Sequence, residues 1–257
     1  MHPATNRSAG RRTKSALAAL TMLCASLFAI TTLGAPPANA DGCYTWSRSL
    51  APGATGSDVS QLQIRVAGWA GYGTMLAIDG SYGPATTTAV RNFQSAHGLT
   101  VDGLAGPQTM AAIYALQDDD CSTAHFDWAE VDGGCGVGGY SGGTVSASQV
   151  KENLRRAMWR AEAVRQRLGN KPLRVTSGFR STSCDRQVGG SGSGYHTYGM
   201  ALDLVGYAGS PSFCQIASAA RYSSFGTILG PGYPGHNDHA HIDIANRRFW
   251  SASSCGI

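Results

Sequence analysis

Histidine and aspartate residues concentrate in two segments of the chain, and the first places an imidazole and a carboxylate where they can share a metal ion. This segment has the sequence HTYGMALD and runs from His196 to Asp203. Gly199 permits a turn, so the two side chains can converge from the two sides of a bend. Residues 200–205 have the apolar pattern of a buried strand, in which a carboxylate is costly unless it is paired or coordinates a metal. His196 and Asp203 are therefore candidate metal ligands.

The second segment has the sequence HNDHAHIDI and contains His236, His239 and His241. Side chains alternate along a β-strand, so His239, His241 and Asp243 are expected to share one face, with isoleucine residues on the other. A solvated histidine patch fits this apolar opposite face poorly. One of these imidazoles can bind a metal ion while its neighbour faces the water bound to that ion.

His196, Asp203 and one of the strand histidines supply two imidazoles and one carboxylate, the composition of a catalytic zinc site whose fourth position is open to water. Such a site polarises a carbonyl and supplies hydroxide near neutral pH. A nearby unligated histidine can take and return the proton. The pattern therefore predicts hydrolysis at one zinc ion per chain.

An arginine with small neighbours, Arg180 in the sequence SGFRS, adds a second feature. A guanidinium binds a carboxylate through two parallel hydrogen bonds, which suits a substrate with a free carboxyl terminus. An isolated arginine is usually a surface charge, so this assignment depends on the metal-binding pattern beside it.

The elements that must position these residues follow from apolar periodicity. A long helix is predicted to begin near Ser146 or Ser148, either of which can cap it, and to stop at Gly169-Asn170 before Pro172. Residues 173–176 have a β-like pattern, and two further β-like runs flank the histidines. The C-terminal part is therefore expected to be an α+β domain.

The N-terminal part contains an internal repeat, because IDGSYGPAT at 78–86 returns as VDGLAGPQT at 101–109. In both copies an Asp-Gly turn is followed by a proline that can occupy the first turn of a helix. A further helix is predicted near Asp58 to Val66 at helical spacing. A small three-helix domain is the expected fold.

Two resemblances follow from these motifs. The turn-helix repeat over Gly53 to Leu116 resembles the peptidoglycan-binding module found beside many cell-wall hydrolases, although a spacer without a ligand would have the same fold. The motifs SGFRS, HxxGxAxD and HxH, in this order, resemble the zinc D-alanyl-D-alanine carboxypeptidases. That family includes D-Ala-D-Ala dipeptidases and murein endopeptidases and is related to the hedgehog signalling domain.

The second resemblance implies an α+β zinc peptidase domain with an antiparallel sheet, and His196, Asp203 and His241 as zinc ligands. It implies that Arg180 binds the substrate carboxylate and that His239 and His236 are active-site histidines, either of which can be the general base. The implied substrate is a peptidoglycan stem peptide ending in D-Ala-D-Ala, cleaved by a zinc-activated water. An endopeptidase that cleaves peptidoglycan cross-links and a non-catalytic wall-binding zinc module are the alternatives.

Residues 1–40 have the layout of an export signal, with a basic head, an apolar run and a small-x-small site at Ala38 to Ala40. Either the general or the twin-arginine route fits. The four basic residues of the head account for the formal net charge of +4, so nothing in the remaining chain indicates a nucleic-acid partner. We expect a secreted protein with no membrane segment after cleavage. The expected domains are 41–121, which binds the wall polymer, and 122–257, the peptidase.

One of the seven cysteines lies in the signal, and the other six predict three disulfides in an exported chain. Six cysteines allow fifteen pairings, among which the sequence does not decide. Order along the chain alone suggests the pairs Cys43–Cys121, Cys135–Cys184 and Cys214–Cys255.

Overall fold

Two turn-helix repeats build the N-terminal part in the computed structural model, which describes residues 43–132 and 139–257. The helices are α1 (Ser57–Val66), α2 (Pro84–Ala96) and α3 (Pro107–Tyr114), and prolines begin α2 and α3 as predicted. Each Asp-Gly turn is held by a glutamine of the preceding helix. Gln63 donates to Asp79 at 2.8 Å, and Gln94 donates to Asp102 at 2.7 Å. The sequence repeat is therefore also a repeat of hydrogen bonds.

The C-terminal part contains four helices and five strands among the described residues. The longest helix, α5 (Ala147–Arg167), begins after Ser146, whose side chain accepts a hydrogen bond from the backbone of Gln149. Its 21 residues make it the longest described element. The elements are α4 (Trp128–Val131), α5 (Ala147–Arg167), β1 (Leu173–Ser177), α6 (Thr182–Gln187), β2 (Ala201–Gly206), α7 (Phe213–Ala220), β3 (Thr227–Leu229), β4 (Ala240–Asp243) and β5 (Phe249–Ser251), with 3₁₀ turns at Tyr195–Tyr198 and Ser253–Cys255. The N-terminal part has a 3₁₀ turn at Ala67–Trp69.

The five strands form one sheet in the order β1-β2-β4-β3-β5. Neighbouring strands are antiparallel except for β3 and β5, which are parallel. The expectation of an antiparallel sheet is therefore wrong for this edge, and the sheet is mixed. The reason is the connection after β4. The chain passes the end of β3 and forms β5 on the far side of β3. Strand β5 therefore runs opposite to β4 and in the same direction as β3.

The helices α5 and α7 pack against the sheet and cover its apolar residues. Leu202, Leu204, Ile228 and Ile242 are fully buried in this core. Because side chains alternate along a strand, Asp203 and His241 emerge on the opposite face. The strand pattern thus separates the hydrophobic core from the polar residues predicted to do chemistry.

A second apolar core lies in the N-terminal part and is completed by the C-terminal part. Its members include Trp69, Phe93 and Ile113, all nearly or fully buried. Trp159 and Ala163 of α5 belong to the same cluster and are fully buried. The helix α5 therefore contributes to both cores, with different faces.

Two of the three disulfides suggested by chain order are present, Cys43–Cys121 and Cys214–Cys255. Cys184 is also disulfide-bonded, and Cys135 lies outside the described residues. The segment predicted to be an export signal, residues 1–40, lies outside them too. No helix in the described part of the chain is both long and apolar enough for a membrane span.

Candidate metal centre

Two neighbouring strands and the turn before one of them bring the three candidate ligands together. Asp203 of β2 and His241 of β4 are directly paired in the antiparallel register. His196 lies in the 3₁₀ turn Tyr195–Tyr198 that leads into β2. That turn ends at Gly199, which has a φ of 68° and a position for a Cβ atom only 2.6 Å from the carbonyl oxygen of Val150. Only glycine fits this bend, so the bend predicted from the sequence has a steric basis.

The three ligand atoms form a compact triangle. Nδ1 of His241 lies 2.9 Å from Oδ1 of Asp203 and 3.2 Å from Nε2 of His196. Nε2 of His196 lies 3.3 Å from the same Asp203 oxygen. Ligand atoms at the corners of a tetrahedral zinc site lie roughly 3.3 Å apart, because Zn–N and Zn–O bonds are about 2.0–2.1 Å long. The residues therefore fit a zinc ion, and all three side chains are buried.

Hydrogen bonds to the far side of each imidazole fix which nitrogen faces this triangle. Nδ1 of His196 donates to the carbonyl oxygen of Gly178 at 2.6 Å, so Nε2 keeps its lone pair. Nε2 of His241 lies 3.4 Å from Oδ2 of Asp243, which leaves Nδ1 for the triangle. Metal-binding histidines usually have such outer partners, which set the tautomer and the ring orientation.

Burial and charge pairing act against each other at these residues. Burial opposes ionisation of Asp203, but His196 and His241 outweigh it and hold the pKa of Asp203 far below its usual range. Burial disfavours a charged His241, yet hydrogen bonds to Asp203 and Asp243 outweigh that effect and raise the pKa of His241 to about 9. Burial lowers the pKa of His196. Asp203 is therefore ionised at neutral pH, as a ligand carboxylate must be.

The guanidinium of Arg180 lies beside the triangle and is held by three oxygens. Nη2 donates to Oδ2 of Asp203 at 2.8 Å, and Nε donates to the hydroxyl of Ser177 at 2.7 Å. Nη1 is 3.5 Å from Oδ1 of Asp185, a buried carboxylate of α6. Arginine has five N–H donors, so these contacts leave donors for a further carboxylate.

The two remaining histidines flank the triangle on its more exposed side. Nε2 of His239 lies 3.5 Å from Oδ1 of Asp203, while its Nδ1 is paired with Asp238 at 2.8 Å. Nδ1 of His236 donates to the carbonyl oxygen of Pro234 at 2.9 Å. The His236 ring lies 4.9 Å from that of His239, and burial lowers the pKa of His236. Both rings therefore present Nε2 as the nitrogen able to accept a proton.

All six residues singled out from the sequence for the site lie in this one place. Three further residues contact the site and were given no role from the sequence: Asp243, Ser177 and Asp185. Asp243 shares a strand face with His241, which is a signal that the alternation rule offers. Asp185 follows Arg180 by five positions on α6, and no short-range pattern indicates that the two side chains meet.

Comparison with known proteins gives this geometry a family. A family model described as Peptidase M15 matches residues 124–243, and one described as a peptidoglycan binding domain matches residues 55–113. The chain is 54% identical over 217 residues to a zinc D-Ala-D-Ala carboxypeptidase of Streptomyces albus G, with 84% of each chain covered. The chain belongs to the M15 peptidase family.

The M15 match contains every residue of the candidate metal centre, and Asp243 is its last matched position. Other relatives match smaller shares of the chain. A spore cortex-lytic enzyme of Bacillus cereus is 39% identical over 101 residues, which is 39% of this chain and 36% of that protein. The crystal structure of the SleB N-terminal domain is 39% identical and covers 28% of this chain and 94% of that one, with a TM-score of 0.25. The likeness there rests on the sequence identity.

Proposed function

We propose that this M15 peptidase is a zinc D-Ala-D-Ala carboxypeptidase that hydrolyses the terminal D-Ala-D-Ala bond of peptidoglycan stem peptides. The observation that supports it most is the triangle formed by His196, Asp203 and His241, in a chain 54% identical to an enzyme of that name. The two spare histidines and Arg180 argue against a purely structural ion, because structural zinc sites are closed by four protein ligands.

In this proposal His196 through Nε2, His241 through Nδ1 and Asp203 through Oδ1 hold one zinc ion. Zinc bound there supplies Lewis acidity, which polarises the scissile carbonyl and lowers the pKa of a water molecule. Arg180 binds the carboxyl terminus of the substrate with the donors that its three internal contacts leave. Its contact with Asp203 also orients that carboxylate.

Proton transfer falls to the flanking histidines. His236 or His239 takes a proton at Nε2 as the attack proceeds and returns it to the leaving amine. The contacts of the two Nδ1 atoms with Pro234 and Asp238 support this assignment, because they hold both rings in the tautomer that accepts at Nε2.

The remaining expectations complete the proposal. Residues 41–121 form the module that attaches the enzyme to the wall polymer, and residues 122–257 form the peptidase domain. Residues 1–40 direct export, so the enzyme acts outside the cell. Two disulfides between described residues support this location, because disulfides persist in oxidising compartments.

Digestion of purified muropeptides tests the proposal. Mass spectrometry should detect free D-alanine and a stem peptide shortened by one residue, and a chelator should abolish both products. The His241→Ala variant should lose zinc and activity together, as measured by metal analysis of the purified protein. Release of larger fragments from cross-linked dimers, without free D-alanine, would replace the carboxypeptidase by an endopeptidase.

A further inference from the structure

Exposed and partly buried aromatic and arginine side chains gather where the N-terminal part packs on the peptidase part. Tyr72 follows the first helix, and Tyr222 follows α7; their rings lie 5.0 Å apart and are 57% and 41% exposed. Three arginines lie beside them. We call this group the junction surface: Tyr72, Arg167, Arg221, Tyr222 and Arg248.

The arginines of the junction surface lie against aromatic rings and are not paired with carboxylates of the described residues. Arg167 lies 5.4 Å from the ring of Tyr222, and Arg221 lies 5.8 Å from the ring of Tyr72. Arg248 lies 5.3 Å from the ring of Trp250. None of the three forms a salt bridge with a carboxylate of the described residues, whereas arginines elsewhere, such as Arg48, do. Their positive charge is therefore available to an anionic partner.

A cavity of about 470 Å³ adjoins these side chains. Arg167 and Tyr222 line it together with Trp69 and Asn92 of the N-terminal part and Gln166 of α5. Its volume falls within the range of ligand pockets, roughly 300–1,000 Å³. Amide side chains, an arginine and an aromatic ring are groups that recognise a sugar, because a sugar ring offers hydroxyls at its rim and C–H bonds on its faces.

Backbone contacts fix the loop that carries Tyr72. The amide of Gly73 donates to the carbonyl oxygen of Arg221 at 2.8 Å, and Arg248 donates to the carbonyl oxygen of Gly73. The amide of Leu76 donates to the hydroxyl of Ser224 at 3.0 Å. The junction surface is thus assembled from both parts of the chain and is held in place before a ligand binds, which reduces the entropy cost of binding.

Ring contacts continue from the junction surface towards the metal centre. Tyr72 contacts Trp250 of the edge strand β5 at 5.6 Å. The preceding residue, Phe249, lies on the other face of that strand, and its ring is 6.0 Å from the ring of Tyr233. Tyr233 in turn lies 5.3 Å from the ring of His236. A long ligand can therefore cross the edge of the sheet at β5 and reach the active site.

We propose that the junction surface binds the glycan strand of peptidoglycan, with sugar rings stacked on Tyr72 and Tyr222 and the carboxylates of the attached peptides on the arginines. This inference rests on the proposed function, since it assumes that the wall polymer is the substrate. A polymer bound here presents its stem peptides along the path over β5. The wall-binding site then belongs to both parts of the chain and not to the N-terminal module alone.

Co-sedimentation of the full-length enzyme with insoluble peptidoglycan tests this site. Tyr72→Ala and Tyr222→Ala together should weaken binding about fivefold or more, because an aromatic contact contributes roughly 0.5–1.5 kcal/mol. Arg221→Gln should weaken it further and flatten its dependence on salt. Tyr207→Ala and Arg174→Gln are matched controls: both residues are exposed, lie on the β1–β2 side of the sheet and should leave binding unchanged.

Turnover of a soluble peptide ending in D-Ala-D-Ala separates this inference from the proposed function. The tyrosine variants should keep wild-type kcat/KM on that peptide, which also shows that they are folded. Peptidoglycan stripped of phosphate-linked polymers should bind the wild-type enzyme as well as the untreated material does. Unchanged binding by the tyrosine variants, an equal loss in the controls, or dependence on the phosphate polymers would each overturn the inference. If the double variant does not fold, Tyr222→Ala alone is decisive, because its ring is exposed.

Discussion

The buried carboxylate of Asp243 lies 3.4 Å from Nε2 of His241, on the side of the imidazole opposite Asp203. Its second oxygen accepts a hydrogen bond from the amide of Ala245 at 2.9 Å, so the carboxylate is itself fixed. Asp243 is fully buried. Such a carboxylate–histidine pair orients a metal ligand and increases its basicity. We therefore expect Asp243 to act as a positioning residue for the candidate metal centre.

Asp243→Asn should weaken zinc binding, by about 10- to 100-fold in dissociation constant, because the outer partner of His241 loses its charge. The side chain keeps its size, so the fold should persist. Competition with a chromophoric chelator measures the affinity directly, without reference to activity. Asp238→Asn is the control, since Asp238 is exposed and pairs with His239; it should leave zinc affinity unchanged. Equal affinities of the Asp243→Asn and wild-type proteins would show that Asp243 does not act through His241.

The close contact between the N-terminal part and α5 predicts that a substitution at Gly68 lowers the stability of the protein. A Cβ atom there would lie 2.6 Å from Cβ of Ala163 and 3.1 Å from the backbone Cα of Arg160. Gly68→Ala should therefore destabilise the protein by about 1–3 kcal/mol, as overpacking does. Denaturant unfolding measures the change. Gly83→Ala is the matched control, because nothing lies within 4 Å of its Cβ position, and it should cost less than about 1 kcal/mol. Equal losses in both variants would contradict the close contact.

The candidate site could be predicted from the sequence because its histidine and aspartate residues lie in short motifs. The ligand motif spans eight residues around a glycine bend, and strand alternation places His239 and His241 on one face. The environment of Arg180 could not be predicted, because it depends on how α6 returns to the sheet and brings Asp185 close. The direction of β5 could not be predicted either. It depends on the path of the connection from β4 past β3, and the three residues of β5 contain no pattern that indicates this path.

The helix α5 shows which packing contacts apolar periodicity predicts and which it does not. Its apolar face towards the sheet, which includes Leu154 and Met158, follows the helical spacing from which the helix was predicted. Trp159 and Ala163 lie off that face and complete the N-terminal core. A tryptophan on the second face was the available signal that α5 packs on both sides. The two domains expected from the motifs therefore depend on one another for their stability.

A truncated chain tests this dependence. A fragment beginning at Ser122 leaves Trp159, which is fully buried, without the N-terminal members of its apolar cluster, such as Trp69 and Phe93. We expect a fragment that aggregates and melts at a lower temperature, since uncovering a large aromatic side chain costs several kcal/mol of burial. Trp159→Gln should increase the solubility of the fragment and destabilise the full-length protein. A stable, soluble fragment with wild-type turnover would show that the N-terminal part is dispensable for folding.

Arg180 provides the sharpest test of substrate binding, because its guanidinium is both an internal partner of Asp203 and the candidate group for a substrate carboxylate. Arg180→Lys should reduce kcat/KM about ten- to a hundredfold, since lysine keeps the charge but lacks the planar pair of donors. Zinc content should stay stoichiometric, because His196, Asp203 and His241 remain. Arg186→Lys, an exposed change on the same helix as Asp185, is the control and should have no effect.

Amidation of the substrate carboxylate should reduce kcat/KM of the wild-type enzyme by a similar factor and that of the Arg180→Lys variant little more, because both changes remove one interaction. Fully additive losses would place Arg180 away from the substrate and leave it the single role of orienting Asp203.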